Sequence, residues 1–109
     1  MQLGPLEIEK YLMPSGACPF DDWFNVLPLQ DQAMIDTRLD RVSLGNLGKT
    51  NSVGDGVFEL KFKSGSGFRI YYGRSSKQVI LLLCAGNKRT QAKDIARAKN
   101  YWNNFLKKE

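Results

Sequence analysis

The chain has no histidine and only two cysteines in 109 residues. Without histidine, no side chain titrates near neutrality unless its surroundings shift it. The usual serine–histidine–aspartate triads and histidine-based nuclease schemes are therefore excluded. Cys18 and Cys84 belong to no paired motif, so there is no ligand set for zinc, and no metal or cofactor is expected. Cys84 lies inside the apolar run Val79–Ala85, which suits a buried thiol. That run is far too short to cross a membrane and reads as a core strand. No signal peptide is expected, and there is no Asn-x-Ser/Thr sequon. A reducing cytoplasm is the expected compartment. No internal repeat, low-complexity segment or linker divides the chain, so residues 1–109 are expected to form a single domain.

Basic charge is plentiful and unevenly placed. The net charge is +5, but residues 1–57 carry four Lys/Arg against eight Asp/Glu, whereas residues 58–109 carry twelve against three. Such asymmetry points to a polyanion-facing surface built mostly from the second half. Solvated lysines on an ordinary basic protein would give the same totals.

Periodicity sets the elements. Leu6–Leu12 alternates weakly and reads as a strand. Phe20–Leu27 has apolar residues at helical spacing and two aspartates in its first turn. Pro28 interrupts it, and Asp31–Leu44 follows as a second helix with Ile35, Leu39 and Val42 on one side. Gly45–Gly56 reads as a polar, Gly-rich loop. Val57–Lys63, Phe68–Arg74 and Gln78–Ala85 read as an antiparallel meander, the last strand interior and covered on both faces. Thr90 is placed to cap a final helix over Gln91–Lys107, with Ala92, Ile95, Ala96, Trp102, Phe105 and Leu106 as its buried stripe. The class is α+β: an N-terminal strand and a helical hairpin packed on an antiparallel sheet, in the order β-α-α-β-β-β, with a C-terminal helix.

The sharpest feature is the hairpin Glu59–Lys63 / Phe68–Tyr72. A three-residue turn at 64–66 sets Lys61 opposite Arg69, Leu60 opposite Ile70 and Phe62 opposite Phe68. Like charges facing across strands are destabilising, so the pair is expected to be held for an anion. Glu59 and Tyr71 share its face, which is read as the non-core side; a solvated face with Glu59 offsetting one cation is the plainer reading. A second basic feature is the strand-to-helix turn Gly86-Asn87-Lys88-Arg89-Thr90, whose backbone N–H groups and two cations suit a phosphate. Leu47-Gly48-Lys49-Thr50 looks like the tail of a phosphate-binding loop but lacks its first glycine and its flanking elements, so a plain loop is expected. Trp23, Tyr101, Trp102 and Phe105 are read as core rather than base-stacking residues.

The ordered set Leu44-Gly45-Asn46, Val53-Gly54-Asp55-Gly56-Val57-Phe58-Glu59-Leu60-Lys61, Gly67-Phe68-Arg69-Ile70-Tyr71-Tyr72-Gly73 and Leu81–Lys88, with Gln91, Lys93-Asp94-Ile95 and Ala98-Lys99, resembles the RelE/ParE toxin superfamily. Within it, the resemblance is to the HigB-like, phage-derived branch of addiction-module killer proteins, over about Phe20 to Phe105. Two departures stand out. Ala85-Gly86-Asn87-Lys88 replaces a Gly-Gly-Asp-Lys pattern, removing a carboxylate. Lys61 replaces an arginine, keeping charge but losing the bidentate fork.

The resemblance implies the toxin of a type II toxin–antitoxin system, an endoribonuclease acting on mRNA, usually on the ribosome. In that reaction the 2′-OH attacks the adjacent phosphate in line. Arg69 is expected to clamp the scissile phosphate. Lys61, its pKa lowered by Arg69 opposite, is expected to take the 2′-OH proton or add charge. Lys88, or Arg89 beside it, is expected to stabilise or protonate the leaving oxygen. Glu59, Tyr71, Arg89 and Gln91 are expected to bind substrate. The implied partners are mRNA, the ribosome and a cognate helix-turn-helix antitoxin covering the basic face, with no membrane. The alternatives are a ParE-like gyrase inhibitor and a non-enzymatic RNA-binding phage accessory protein.

Overall fold

The computed structural model describes residues 4–63 and 66–108. The elements run β1 (Glu7–Lys10), α1 (Pro19–Phe24), α2 (Leu29–Ser43), β2 (Thr50–Gly54), β3 (Val57–Lys61), β4 (Arg69–Ser76), β5 (Val79–Gly86) and α3 (Gln91–Lys108), with a single 3-10 turn at Lys88–Thr90 before α3. The α+β class holds, with the helix pair ahead of the meander and a helix at the C-terminal end. The tip of the predicted hairpin, residues 64 and 65, lies outside the described residues.

Five strands form one mixed sheet in the order β1-β5-β4-β3-β2. Two strand pairings were not anticipated. β2 forms inside the segment expected to be a loop, because Thr50, Asn51 and Ser52 pair antiparallel with Leu60, Glu59 and Phe58. β1 pairs parallel with β5, Glu7 opposite Val79 through Lys10 opposite Leu82, so the sheet is not wholly antiparallel. β5 lies between β1 and β4 and is buried from Ile80 to Gly86. A register shift between Tyr71 and Tyr72 puts Cys84 opposite Tyr71 and Leu82 opposite Tyr72, skipping Leu83. This bulge lets Leu83 and Cys84 join the same face.

Each face of the sheet has its own core. On one, Phe20 of α1 and Ile35 and Val42 of α2 pack with Leu60, Ile70, Tyr72, Ile80 and Leu82. On the other, Ala98 and Trp102 of α3 pack with Val57, Tyr71, Leu81, Leu83 and Cys84. The α3 stripe departs from the expected one. Asp94, Ala98 and Trp102 are its buried residues, Ile95 and Phe105 are half-buried, and Ala92, Ala96 and Leu106 are exposed. The difference is a rotation of the helix: Asp94 turns inward because its carboxylate accepts from Thr90 and Arg97.

Local reasons fix the helix ends. α1 starts at Pro19 with Asp21 and Asp22 in its first turn. It stops earlier than its periodicity suggests because the Gln32 amide donates to the carbonyls of Phe24 and Leu27 at 3.0 and 3.2 Å. Those groups are thereby satisfied without another helical turn.

Candidate functional site

The register predicted for the hairpin is the one found. Lys61 faces Arg69, Leu60 faces Ile70, and the Phe62 N–H donates to the Phe68 carbonyl at 3.0 Å. The side of the sheet that carries the cations is not a solvated face, however. α3 covers it, so Glu59 is only 2% exposed and Tyr71 is fully buried. A carboxylate in that position requires partners, and it has them. Lys61 Nζ lies 3.9 Å from Glu59 Oε1, and Arg69 Nε lies 3.8 Å from Oε2. Asn51 donates to Oε1 at 3.2 Å and Gln91 to Oε2 at 3.4 Å. The two facing cations are thus bridged by an anion between them, and like-charge repulsion does not dominate at Lys61.

The cations differ in access. The side chain of Arg69 is 12% exposed and that of Lys61 33%. Arg69 is held from two sides: its Nη1 donates to the Gly67 carbonyl at 2.9 Å, and its Nε faces Glu59. That Nε is buried without a hydrogen bond within the protein.

The backbone of Lys88 packs beside the start of β4. Gly67, at φ 74°, carries the chain so close to the 3-10 turn that a Cβ there would lie 3.3 Å from Lys88 Cβ and 3.5 Å from Arg69 Nη1. The Lys88 N–H points at the Ser66 carbonyl, 3.4 Å away. Lys88 and Arg89 are exposed. The structure therefore gathers Lys61, Arg69 and Gln91 around Glu59, and sets the backbone of Lys88 beside Gly67 at the edge of this cluster, while Lys88 and Arg89 extend into solvent from that turn. Two clefts lie away from this neighbourhood, one beside Lys99 and Trp102 and one beside Leu6 and Gln78.

Two expectations for this site do not hold. Tyr71 cannot stack on or hydrogen-bond a substrate, because it is buried under α3. Burial, reinforced by the carboxylates of Glu59 and Asp94, pushes its phenol well above the usual tyrosine range. The amides of the strand-to-helix turn are also not open to a phosphate. Those of Arg89 and Thr90 donate to Asn87 Oδ1 at 2.9 and 3.2 Å, and the Asn87 N–H is taken by Thr90 Oγ1 at 3.2 Å. Asn87, not Thr90, is the cap, and Thr90 completes a capping box with it. The absent carboxylate at position 87 is therefore a capping matter.

Asn51 and Arg38 were missed by sequence reasoning. Asn51 reaches Glu59 from β2, a strand with no apolar alternation to announce it. Arg38 donates to the carbonyls of Lys61, Leu47 and Lys49 at 2.7, 3.1 and 2.9 Å, tying α2 to the strand end that carries Lys61. Lys49 thus belongs to a structural corner, and Gly48-Lys49 is no phosphate loop. Among the described residues no group of three or more His, Cys, Asp or Glu is placed to hold a metal ion, and no helix is long and apolar enough to cross a membrane. Chemically, the neighbourhood offers two cations paired with a buried carboxylate and the exposed Lys88 turn beside them, an arrangement suited to a phosphodiester.

Comparison with known proteins gives a family. The family model described as "Phage derived protein Gp49-like (DUF891)" matches residues 22–103. An uncharacterized protein of Haemophilus influenzae is 43% identical over 81 residues, spanning 73% of this chain and 82% of that relative. No solved structure matches the chain significantly.

Proposed function

Because the chain belongs to the Gp49-like family of phage-derived proteins, a RelE-like toxin family, we propose that it is the toxin of a type II toxin–antitoxin pair and cleaves mRNA. Within the superfamily we read it as HigB-like. The observation that supports the nuclease reading is the placement of Lys61 and Arg69 against the buried Glu59, with the turn that carries Lys88 packed beside Gly67 and Arg69.

The proposed reaction is transesterification. The ribose 2′-oxygen bonds to the adjacent phosphorus, the bond to the 5′-oxygen breaks in line, the 2′ proton leaves with solvent or a nearby acceptor, and the 5′-oxygen collects a proton. Negative charge grows on the phosphoryl oxygens and on the leaving oxygen. Arg69, fixed by Gly67 and Glu59, meets the first, and Lys61 adds charge beside it. Lys88, exposed at the turn, meets the second. Glu59 positions both strand cations before substrate arrives, and a phosphate replaces it as their nearer partner; ion pairs at 3.8 and 3.9 Å are loose enough to yield. Gln91 orients Glu59. Pre-placed charge of this kind acts without reorganisation, and losing one such donor typically costs about a hundredfold or more in rate. With no histidine, proton transfer is the weak point. A ribosome that holds mRNA in the attacking geometry supplies the positioning such a site needs. We read the protein as cytoplasmic, with mRNA, the ribosome and a co-encoded helix-turn-helix antitoxin as partners.

The test is inducible expression with and without the neighbouring gene, with RNA ends mapped after induction. New ends within codons and growth arrest relieved by the neighbour are expected, and Arg69→Ala should remove both effects. DNA damage without new RNA ends would instead indicate a gyrase inhibitor, and harmless expression a non-enzymatic RNA-binding protein.

A further inference from the structure

We propose that the cleft between the β2–β3 turn and the second half of α3 is a nucleobase subsite, occupied by the RNA strand that leaves the cationic cluster. This rests on the reading of the protein as an RNA-cutting toxin. The cleft has a volume of about 440 Å³ and is lined by Asp55, Lys99, Asn100, Trp102, Asn103 and Leu106. That volume lies in the ordinary range for small-molecule sites. The lining has the mixture a base requires. Trp102, stacked on Phe105, and Leu106, 49% exposed, give an apolar wall. Asn100 and Asn103 each bring an amide donor and an acceptor. Lys99 and Asp55 bring opposite charges at the rim, 3.5 Å apart. Asp55 is 76% exposed, and an ion pair that wet is weak. Lys99 is therefore available to a phosphate, and Asp55 to an amino-bearing base edge.

The surface joining the cluster to the cleft supports the same ligand. Lys93, Ala96, Asn100 and Asn103 recur three or four residues apart, so they share one side of the helix, with Ala92 beside them and Arg89 in the turn just before it, and all six are exposed. No acidic side chain interrupts them. Asp94, the acid of this helix among the described residues, is buried and held by Thr90 and Arg97. An ordinary solvated helix face mixes both signs. Here the exposed alanines leave a low floor between two cations at one end and the amide-lined cleft at the other. From Gln91, which touches Glu59, to Asn103 is about 18 Å along the axis, a span of a few nucleotides. A strand with its scissile phosphate at Arg69 would lay its backbone past Arg89 and Lys93 and deliver a base to the cleft, with stacking and phosphate contacts in the manner of single-strand binders.

The experiment uses 2′-O-methyl oligonucleotides, which bind but cannot be cut, as a dinucleotide and a hexanucleotide, titrated against the full chain. The hexanucleotide should bind at least tenfold more tightly than the dinucleotide. Asn100→Ala with Asn103→Ala should remove most of that difference while leaving dinucleotide affinity unchanged, and Lys99→Glu should act in the same direction. Among hexanucleotides, an all-uridine sequence should lose part of the gain. Equal affinities for the two lengths, or a length gain untouched by the substitutions, would overturn the subsite. So would loss of antitoxin capture in the double variant with RNA affinity intact, which would make the cleft a protein-docking surface. Should the length gain appear and yet no RNA be cut in cells, the subsite stands and the nuclease reading falls. Arg69→Ala should abolish cleavage and keep the length gain.

Discussion

Single residues in this protein are best understood by what their atoms must satisfy. Asn87 shows this well. Its side chain takes two backbone amides and its own N–H is taken by Thr90. An aspartate would do the same work, so Asn87→Asp should leave stability and toxicity nearly unchanged, whereas Asn87→Ala should cost about 1 kcal/mol in urea unfolding. A large loss of toxicity at unchanged stability in Asn87→Ala would instead give this residue a part in the chemistry. Gly86 precedes it for an equally local reason: a Cβ there would overlap the Asp94 carboxylate and crowd Thr90. Cys84 adds a pH prediction. Burial pushes its thiol up to about 12 from an ordinary value of 9.0. Between those two values the unfolded chain releases the proton and the folded chain keeps it, so stability falls as pH rises through that window. Tyr71 acts with the same sign in the more alkaline range. Unfolding free energy should decline steadily above about pH 9, and Cys84→Ala should shallow the decline. A profile unchanged by the substitution would show that the thiol is not its source.

Among the elements, those that announced themselves carry their own pattern. α2 has apolar residues at helical spacing, and the hairpin around residues 59–72 alternates, so even the Lys61–Arg69 register was legible from the pairing of Phe62 with Phe68. β2 was not, because Thr50, Asn51 and Ser52 contain no apolar alternation; the strand exists because β3 offers an edge and Arg38 fixes its approach. The parallel pairing of β1 with β5 was hidden for a similar reason: nothing in four residues specifies a partner some seventy positions away. The orientation of α3 was misjudged because Ala92 and Ala96 were counted as core, while Asp94 is buried with Ala98 and Trp102, and the polar partners of Asp94 are something no periodicity can show. Consequently the cations and the Glu59 carboxylate beside them were legible, and the burial of Glu59 and its neighbour Asn51 were not. Arg38 offers the test at this scale. Its guanidinium satisfies three carbonyls and lies 4.9 Å from the centre of the Phe62 ring. Arg38→Met keeps the stem and strands the carbonyls, and should cost about 2 kcal/mol or more. Arg38→Lys should rescue little, since one ammonium cannot reproduce the planar fork. Full stability in the methionine variant would mean that water replaces the clamp without loss.

Across the whole molecule, the charge asymmetry of the two halves becomes an asymmetry of two faces. α1 and α2, with Asp21, Asp22, Asp31, Asp36 and Asp40, cover one side of the sheet; α3, with Lys93, Arg97, Lys99, Lys107 and Lys108, covers the other. The totals were visible in the sequence, but their separation depends on the sheet standing between them. A polyanion approaching such a molecule is drawn to the α3 side and repelled from the α2 side, which orients it before any specific contact forms. Each phosphate neutralised by a lysine releases counterions, and for single strands the log–log salt slope changes by about 0.7 per contact. Binding of a single-stranded RNA should therefore weaken steeply with salt. Lys88→Gln and Lys93→Gln should each shallow the slope by about that amount. Asp36→Asn and Asp40→Asn remove as much charge from the opposite face, yet should leave the slope unchanged and shift affinity only slightly, because long-range repulsion is screened within about 10 Å at moderate salt. If the two aspartate substitutions changed the slope as much as the lysine substitutions, net charge rather than a particular face would govern the encounter, and the orientation argued from the fold would have no consequence.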